Sequence, residues 1–144
     1  MRTYNIAIGC DHAGFSTKEE LIPFLKAMGH TIKDFGAYSD QSVDYPDHAH
    51  PVAQSVANGY HELGIVLCGS GNGVNISANK NKGIRSALCW LPEIASLARQ
   101  HNNANICAIP ARFVSFESAK QIAVAFLEAE FEGGRHAARV NKIE

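Results

Sequence analysis

Residues 63–80, LGIVLCGSGNGVNISANK, decide the fold, because an apolar run there breaks into glycines and then resumes at helical spacing. Residues 63–67 have the apolar continuity of a short buried strand, and the residues after Gly73 suit a helix. A buried strand, a glycine turn and a helix in this order are typical of a β-α unit. We therefore expect a parallel α/β arrangement around this stretch.

The turn itself is CGSGNG at 68–73, with glycine at three of its last five positions. Glycine lets the backbone adopt positive φ, so successive N–H groups can converge on one anionic point at the start of the helix. The turn is not a dinucleotide fingerprint, since Val74 stands where a third glycine belongs, and no Gly-Lys-Ser/Thr of a P-loop follows. We interpret it as an anion cradle, with a plain tight turn as the alternative.

Cys68 occupies the last strand position, directly beside those N–H groups. Such a location lowers the pKa of a thiol from its free value of about 8.5 toward neutrality, and the resulting thiolate can act as a base or a nucleophile. The alternative is an inert buried thiol, the usual state of a cysteine in a strand.

The chain has 144 residues, 46% of them hydrophobic, and a net charge of −1. These values predict one domain, 1–144, with a real core, and they argue against nucleic acid or an anionic membrane as the main partner. No run approaches the roughly 18 apolar residues of a spanning helix, and no signal segment precedes the first strand. We expect a cytoplasmic protein that acts on a small molecule.

Four cysteines lie at or near the ends of apolar runs and form no C-x-x-C pair, which predicts free thiols. Cys10, Cys89 and Cys107 are interpreted as packing residues. The histidines and aspartates at 44–50 resemble metal ligands, but zinc needs a closed set of partners. We expect surface histidines there and no metal site.

Strand patterns at 4–9, 30–35, 63–67, 84–90 and 105–109 alternate with helical patterns at 18–28, 46–58, 74–79, 92–100 and 115–130. Pro23 predicts a late start or a bend in the first helix. The alternation predicts a parallel sheet covered by helices on both faces. The tail carries Arg135 and Arg139 on one helical face, which could be no more than a solvated surface.

Ligands of such sheets bind beyond the carboxyl ends of the strands. We place several polar residues there and expect them to share one cleft: Asp11, His12, residues 68–73, His101, Asn102 and Arg112. A sugar phosphate would need such groups, namely cations for phosphate, an acid for the ring oxygen, a base, and N–H donors for an enediolate. Plain alternatives are an N-cap role for Asp11 and a C-terminal cap role for His101.

Five motifs together resemble the ribose-5-phosphate isomerase B family, which is related to the galactose-6-phosphate isomerase subunits: GCDHAGF at 9–15, DYPDHA at 44–49, CGSGNG with the SANK that follows, ARQHNNAN at 98–105 and EGGRHAARV at 132–140. The resemblance runs nearly end to end. It implies a Rossmann-like three-layer αβα sandwich with five parallel strands.

The resemblance also implies an aldose–ketose isomerase of the pentose phosphate pathway that works without metal or cofactor. Its reaction would interconvert ribose 5-phosphate and ribulose 5-phosphate through a cis-enediol. It would act as a homodimer in which each cleft borrows residues from the partner, and the tail at about 131–144 would reach across. Further pairing into a dimer of dimers stays open.

By position, the resemblance makes Cys68 the base and His101 the acid that opens the furanose ring, while Ser70 assists with its hydroxyl. The remaining family positions would bind substrate: Asp11, His12, Tyr45, Gly69, Gly71, Asn72, Gly73, Asn102, Arg112, Arg135 and Arg139. Many relatives carry threonine at Ser70, and another branch lacks the cysteine and uses a glutamate where Val74 stands here. Because valine cannot act as a base, the cysteine mechanism is favoured.

Two other functions stay open. One is isomerisation of a six-carbon phosphate such as allose 6-phosphate or galactose 6-phosphate, which shifts the phosphate by only about 1.5 Å. The other is a noncatalytic sensor of sugar phosphates that uses the same cradle.

Overall fold

The computed structural model describes residues 2–144 and contains a five-stranded sheet in which every neighbouring pair is parallel. The strands are β1 Asn5–Cys10, β2 Thr31–Asp34, β3 Leu63–Cys68, β4 Ser86–Leu88 and β5 Ile106–Pro110. The helices are α1 Phe15–Ala27, α2 Pro46–Ala57, α3 Asn72–Asn79, α4 Pro92–Asn102, α5 Phe116–Glu128 and α6 Arg135–Val140. A short 3-10 turn, His12–Gly14, joins β1 to α1.

The strand order β2-β1-β3-β5-β4 places a topological switch point between β1 and β3. The chain leaves the centre of the sheet in one direction after β1 and in the other after β3, so the connections diverge. The two strands end together, with Cys10 in register with Leu67. Open α/β sheets bind ligands in the crevice that such a divergence leaves at the carboxyl ends.

Alternate side chains of the strands fill two hydrophobic layers. One layer packs Ile8 and Ile65 against α1, α4 and α5, and the other packs Val66 and Cys68 against α2 and α3. All six residues of β3 are buried, as its continuous apolar run predicts. Fully burying a side chain such as Ile65 contributes roughly 2 kcal/mol, so β3 is fixed firmly where its last residue meets the glycine turn.

The predicted single-domain αβα sandwich with five parallel strands is confirmed, and the largest differences in element boundaries are in α1 and β4. Helix α1 begins at Phe15, before the predicted residue 18, and includes Pro23, so the expectation of a late start is wrong. The 3-10 turn capped by Asp11 leads straight into the helix and starts it early. Strand β4 is shorter than predicted because only Ser86, Ala87 and Leu88 pair with β5 at this edge of the sheet.

The predicted free thiols are confirmed, since all four cysteines are unpaired and buried. Among residues 2–144, none of the helices combines the length and the apolarity that crossing a bilayer requires.

Candidate active site

A cavity of about 480 Å³ opens at the switch point, beyond the carboxyl ends of β1 and β3. Its walls come from the turn after β1, the residue before α2, the glycine turn after β3 and the segment after β5. The lining residues are Asp11, His12, Ala13, Tyr45, Cys68, Gly69, Ser70, Gly73, Arg112 and Phe113.

The glycine turn presents its backbone to this cavity. Gly71 has φ 75°, and a β-carbon there would lie 2.5 Å from Leu88 Cδ1, so both the conformation and the space require glycine. Within the described chain, the Asn72 amide donates to the Ser70 hydroxyl at 3.3 Å, whereas no protein acceptor is recorded for the amides of 69–71. The first helical amides of α3 also lack partners within the helix. The turn therefore has the free donors that an anion cradle needs.

Cys68 ends β3 exactly where the turn begins. Its carbonyl accepts a hydrogen bond from the Ala111 amide at 2.9 Å, which ties β3 to the segment after β5. The residue is 4% exposed, packs in the layer of α2 and α3, and lines the cavity. Cys68 is thus a buried residue in the wall of the cavity, immediately before the turn that leads into α3.

Asp11 has the N-cap role considered for it and keeps one carboxylate oxygen free. Its Oδ1 accepts from the amides of Ala13 at 2.9 Å and Gly14 at 3.2 Å, so it caps the 3-10 turn. Its own amide donates to Leu67 O at 3.2 Å, which joins the ends of β1 and β3. No bond to Oδ2 is recorded among the described residues, which leaves that oxygen to accept from a ligand hydroxyl.

His12 is held by the loop that precedes α2. The Val43 amide donates to His12 Nδ1 at 3.2 Å. A ring nitrogen that accepts carries no proton, so in the neutral imidazole the proton is on Nε2. His12 can therefore donate a hydrogen bond from Nε2 to an anion in the cavity it lines.

Arg112 and Phe113 follow β5 and form another wall. The Arg112 amide donates to Gly69 O at 3.0 Å, and the Arg112 side chain crosses Gly69, with Nη1 3.3 Å from where a β-carbon on Gly69 would lie. Arg112 forms no ion pair with a carboxylate among residues 2–144. It offers the cavity an uncompensated positive charge, and Phe113, 77% exposed, forms an apolar rim beside it.

Outside the glycine turn, four of the predicted site residues do not line this cavity: His101, Asn102, Arg135 and Arg139. The predicted meeting of His101 and Asn102 with the other polar residues in one cleft is therefore not met within one chain. His101 and Asn102 end α4, just before β5 begins, so they lie at the amino edge of the sheet, opposite the carboxyl edge where Cys68 lies. Gly71 and Asn72 belong to the glycine turn but also do not line the cavity.

Asn102 borders a different and larger cleft, of about 600 Å³, at that amino edge. Its charged walls come from Lys80, Lys82, Arg85 and Glu144. Its lining residues include no cysteine and no histidine, and no serine that is paired with a base. The smaller cavity around Cys68 is therefore the better candidate for an active site.

The histidines of α2 are engaged elsewhere. The ring of His48 bonds Phe35 O at 3.0 Å and the ring of His50 bonds Asn81 Nδ2 at 3.0 Å. Within residues 2–144, one group of side chains has the close spacing of metal ligands, and it lies elsewhere: His101, Glu132 and His136.

Sequence reasoning missed three contributors to these sites. Phe113 is an exposed aromatic next to a candidate arginine, and Val43 acts through its backbone, so neither carries a pattern. His136 lies inside the EGGRHAARV motif, where only the two arginines were considered.

Comparison with known proteins gives a consistent result. The family model described as Ribose/Galactose Isomerase matches residues 6–143. The chain is 46% identical to ribose-5-phosphate isomerase B of Escherichia coli over 138 residues, which cover 96% of this chain and 93% of that protein.

Two solved structures agree closely with this fold. The ribose 5-phosphate isomerase of Thermotoga maritima superposes with a TM-score of 0.95 at 48% identity, covering 97% of each chain. The ribose-5-phosphate isomerase B of Mycoplasma genitalium, solved with bound ribulose-5-phosphate, superposes with a TM-score of 0.93 at 43% identity, covering 99% of this chain and 95% of that one.

Proposed function

The chain belongs to the ribose/galactose isomerase family, and from that premise we propose that it interconverts ribose 5-phosphate and ribulose 5-phosphate through a cis-enediolate. The observation that carries the proposal is the position of Cys68, which lines one cavity together with the glycine turn and Arg112. On this proposal, the base, the enediolate donors and a phosphate-binding cation all lie at one end of the sheet. As such an isomerase the protein would serve the pentose phosphate pathway.

The chemical step follows from these groups. Cys68, as thiolate, removes the proton from C2 of the open-chain aldose while negative charge develops on O1. The amides of the glycine turn, helped by the Ser70 hydroxyl, stabilise that charge as preorganised donors. Return of the proton to C1, with transfer of the O2 proton to O1, yields the ketose and regenerates the thiolate.

Substrate binding is assigned to the remaining walls. His12 and Arg112 hold the phosphate, while Asp11 Oδ2 and Tyr45 bind sugar hydroxyls. We propose that no metal takes part, because amides and guanidinium groups can take up the charge of both the enediolate and the phosphate. Dialysis against a chelator should leave the rate unchanged, and loss of activity that zinc or magnesium restores would contradict this part.

Ring opening needs an acid, and the titratable side chains that line this cavity are already assigned to other roles, Cys68 as the base and Asp11, His12 and Tyr45 as substrate-binding groups. We propose that a second copy of the chain supplies His101, with Asn102 nearby and Arg135 and Arg139 of its tail adding to the phosphate site. The exposed rim residue Phe113 and the unpaired arginines support such a contact, since they leave apolar surface and charge for a partner to cover.

The first test is Cys68→Ala, which should lower kcat at least about a hundredfold while a phosphorylated sugar still raises the melting temperature. Cys107→Ala, which removes a buried thiol from β5, is the control and should retain turnover. Turnover by Cys68→Ala at the wild-type rate would overturn the proposal. Binding without turnover in the wild-type chain would instead indicate a sensor, and faster turnover of allose 6-phosphate or galactose 6-phosphate would reassign the substrate.

The second test concerns the shared cleft. When Cys68→Ala and His101→Ala chains are co-refolded, about a quarter of the wild-type rate should return, because random pairing puts one intact cleft in half of the dimers. An inactive mixture that nevertheless contains mixed dimers would show that each cleft is built from a single chain.

A further inference from the structure

His101 lies against a second histidine. The rings of His101 and His136 stack with their centroids 4.2 Å apart and their planes 10° apart. The His136 side chain is 10% exposed, whereas that of His101 is 39% exposed. The His136 ring is therefore buried beneath the His101 ring, and the other face of the His101 ring is exposed.

A specific chain path produces this stack. The Glu132 amide donates to Gln100 O at 3.0 Å, which ties the segment after α5 to the end of α4. Gly133 and Gly134 follow with φ 66° and 54°, and no atom lies within 4 Å of a β-carbon on either, so conformation alone selects glycine there. These two glycines reverse the direction of the chain just before α6, which places His136 against His101.

The Glu132 carboxylate serves both rings. Its Oε1 lies 3.8 Å from His101 Nε2 and 3.6 Å from His136 Nε2. The pKa of His136 is lowered by loss of hydration and by the positive charges of His101, Arg135 and Arg139, against the opposing effect of Glu132. These effects favour the neutral form of His136, which can back the neighbouring ring without adding a positive charge.

The same three residues form a possible zinc ligand set, because their donor atoms lie within 4.8 Å of one another. The stack argues against that role. A metal binds imidazole in the ring plane at about 2.0 to 2.1 Å, and the in-plane lone pairs of two nearly parallel rings run side by side and do not converge. One ion could bind both rings only after the stack had opened.

We propose that His136 is a positioning residue for ring opening: its ring holds the His101 ring in the orientation that delivers a proton to the sugar ring oxygen in the partner's cleft. The Glu132 carboxylate, near Nε2 of both rings, helps to hold the two rings in place. This inference rests on the proposed function, because it gives His136 a role only in the step that precedes enolisation.

Two assays at saturating substrate separate the steps. Turnover of ribose 5-phosphate requires ring opening. Uptake of solvent deuterium at C1 of ribulose 5-phosphate requires only the base, since that ketose cannot close a furanose ring while its O5 carries phosphate. His136→Ala should lower turnover roughly ten- to a hundredfold, the cost of a misplaced catalytic group, and leave deuterium uptake within about twofold of wild type.

His136→Phe, which keeps a flat ring for stacking, should restore most of the turnover that His136→Ala loses. Glu132→Gln, on an exposed segment, should lower turnover severalfold and spare deuterium uptake, and it remains informative if His136→Ala does not fold. Arg139→Ala is the contrasting control: when the substrate concentration is varied, loss of a phosphate contact should raise KM in both assays alike.

Normal turnover in His136→Ala, an equal loss in both assays, or a Phe variant no better than Ala would overturn the inference. If wild type performs both reactions and the His136 variants match it, only this inference fails. If wild type performs neither reaction, the proposed function itself fails.

Discussion

The ring of Tyr45 lies against Gly73 so closely that a β-carbon on that glycine would come within 2.5 Å of Tyr45 Cε1. Gly73 is the second residue of α3, so its amide belongs to the free first turn of the helix. The missing side chain lets the aromatic ring approach that amide and close one side of the cavity. This contact joins the loop before α2 to the glycine turn after β3.

Gly73→Ala should separate activity from stability. Alanine is the better helix former by about 1 kcal/mol, and Tyr45, 41% exposed, can swing outward, so the melting temperature should not fall. Turnover should fall at least about tenfold, because the displaced ring no longer shapes the cavity. Steady-state kinetics and a thermal melt on the same preparation check both parts.

Tyr45→Ala provides the matched background for that experiment. If Gly73→Ala acts by displacing the ring, adding it to Tyr45→Ala should cost no further activity. Full additivity of the two losses would show that Gly73 matters for another reason, such as its amide.

Local sequence patterns are enough to predict β3, the glycine turn and the start of α3, because a run of apolar residues and the conformational freedom of glycine depend only on neighbouring residues. The alternation of strands and helices was enough for the parallel sheet. The contact of Tyr45 with Gly73 and the stack of His101 on His136 could not be predicted, since each depends on the path of a loop through space.

The misplacement of His101 has a different cause. The residues of α4 were assigned to the carboxyl edge although they precede β5, and a residue just before a parallel strand lies at its amino end. Strand direction alone therefore separates His101 from Cys68 in one chain. The early start of α1 escaped detection because the capping of a 3-10 turn by Asp11 has no apolar period.

The tautomer of His12 is a second testable point. Because Nδ1 accepts from the Val43 amide, long-range ¹H–¹⁵N correlation spectra should show a protonated Nε2 and an unprotonated Nδ1. His12→Gln, whose amide can donate from near the Nε2 position, should keep KM for the sugar phosphate within a few fold. His12→Asn should raise it about tenfold, as expected for a lost hydrogen bond to a charged group. A spectrum with the proton on Nδ1, or equal KM values for the two variants, would contradict the assignment.

Lys18 and Asp34 form a buried pair whose two halves should not be equivalent. The Lys18 ammonium is fully buried, 2.7 Å from Asp34 Oδ2 and 2.9 Å from Oδ1, whereas the Asp34 side chain is 29% exposed. Burial opposes the charge of Lys18, yet the hydrogen bond and the charge of Asp34 raise its pKa above the ordinary value. Glu19 Oε1, on a 51% exposed side chain, is a weaker second partner at 3.2 Å. The ammonium thus depends on Asp34 more than Asp34 depends on it.

Asp34→Asn should cost up to about 3 kcal/mol in the free energy of unfolding, because it leaves the buried Lys18 charge with only the exposed Glu19 carboxylate as a partner. Lys18→Met should cost less, since water can reach Asp34 and the Gly36 amide still donates to it at 2.8 Å. The double variant should be more stable than Asp34→Asn alone. Urea unfolding of all variants at one protein concentration measures these changes. A larger loss of unfolding free energy in Lys18→Met than in Asp34→Asn would refute the asymmetry.

His30 predicts how stability changes in mild acid. Its Nδ1 accepts from the Tyr4 amide at 3.0 Å, its Nε2 is buried without a partner among the described residues, and burial lowers its pKa. His61 shares this behaviour, its pKa being lowered by burial and by the charge of Lys33. Below about pH 6.5, the ordinary histidine value, the unfolded chain therefore binds more protons than the folded one.

Stability should consequently be complete above about pH 6.5 and fall as the pH is lowered toward 5, by at most about 1.4 kcal/mol per pH unit for each histidine that stays neutral in the fold. His30→Asn, which keeps an acceptor near Nδ1 but cannot titrate, should reduce the slope. Urea midpoints at pH 7.5, 6.5 and 5.5, at one protein concentration, measure both curves. Carboxylates with an ordinary pKa titrate mainly below this range and should contribute little to the slope. An unchanged slope in His30→Asn would therefore contradict the prediction. It would mean that His30 is already protonated in the folded protein, or that the hydrogen bond from the Tyr4 amide does not depend on its neutral form.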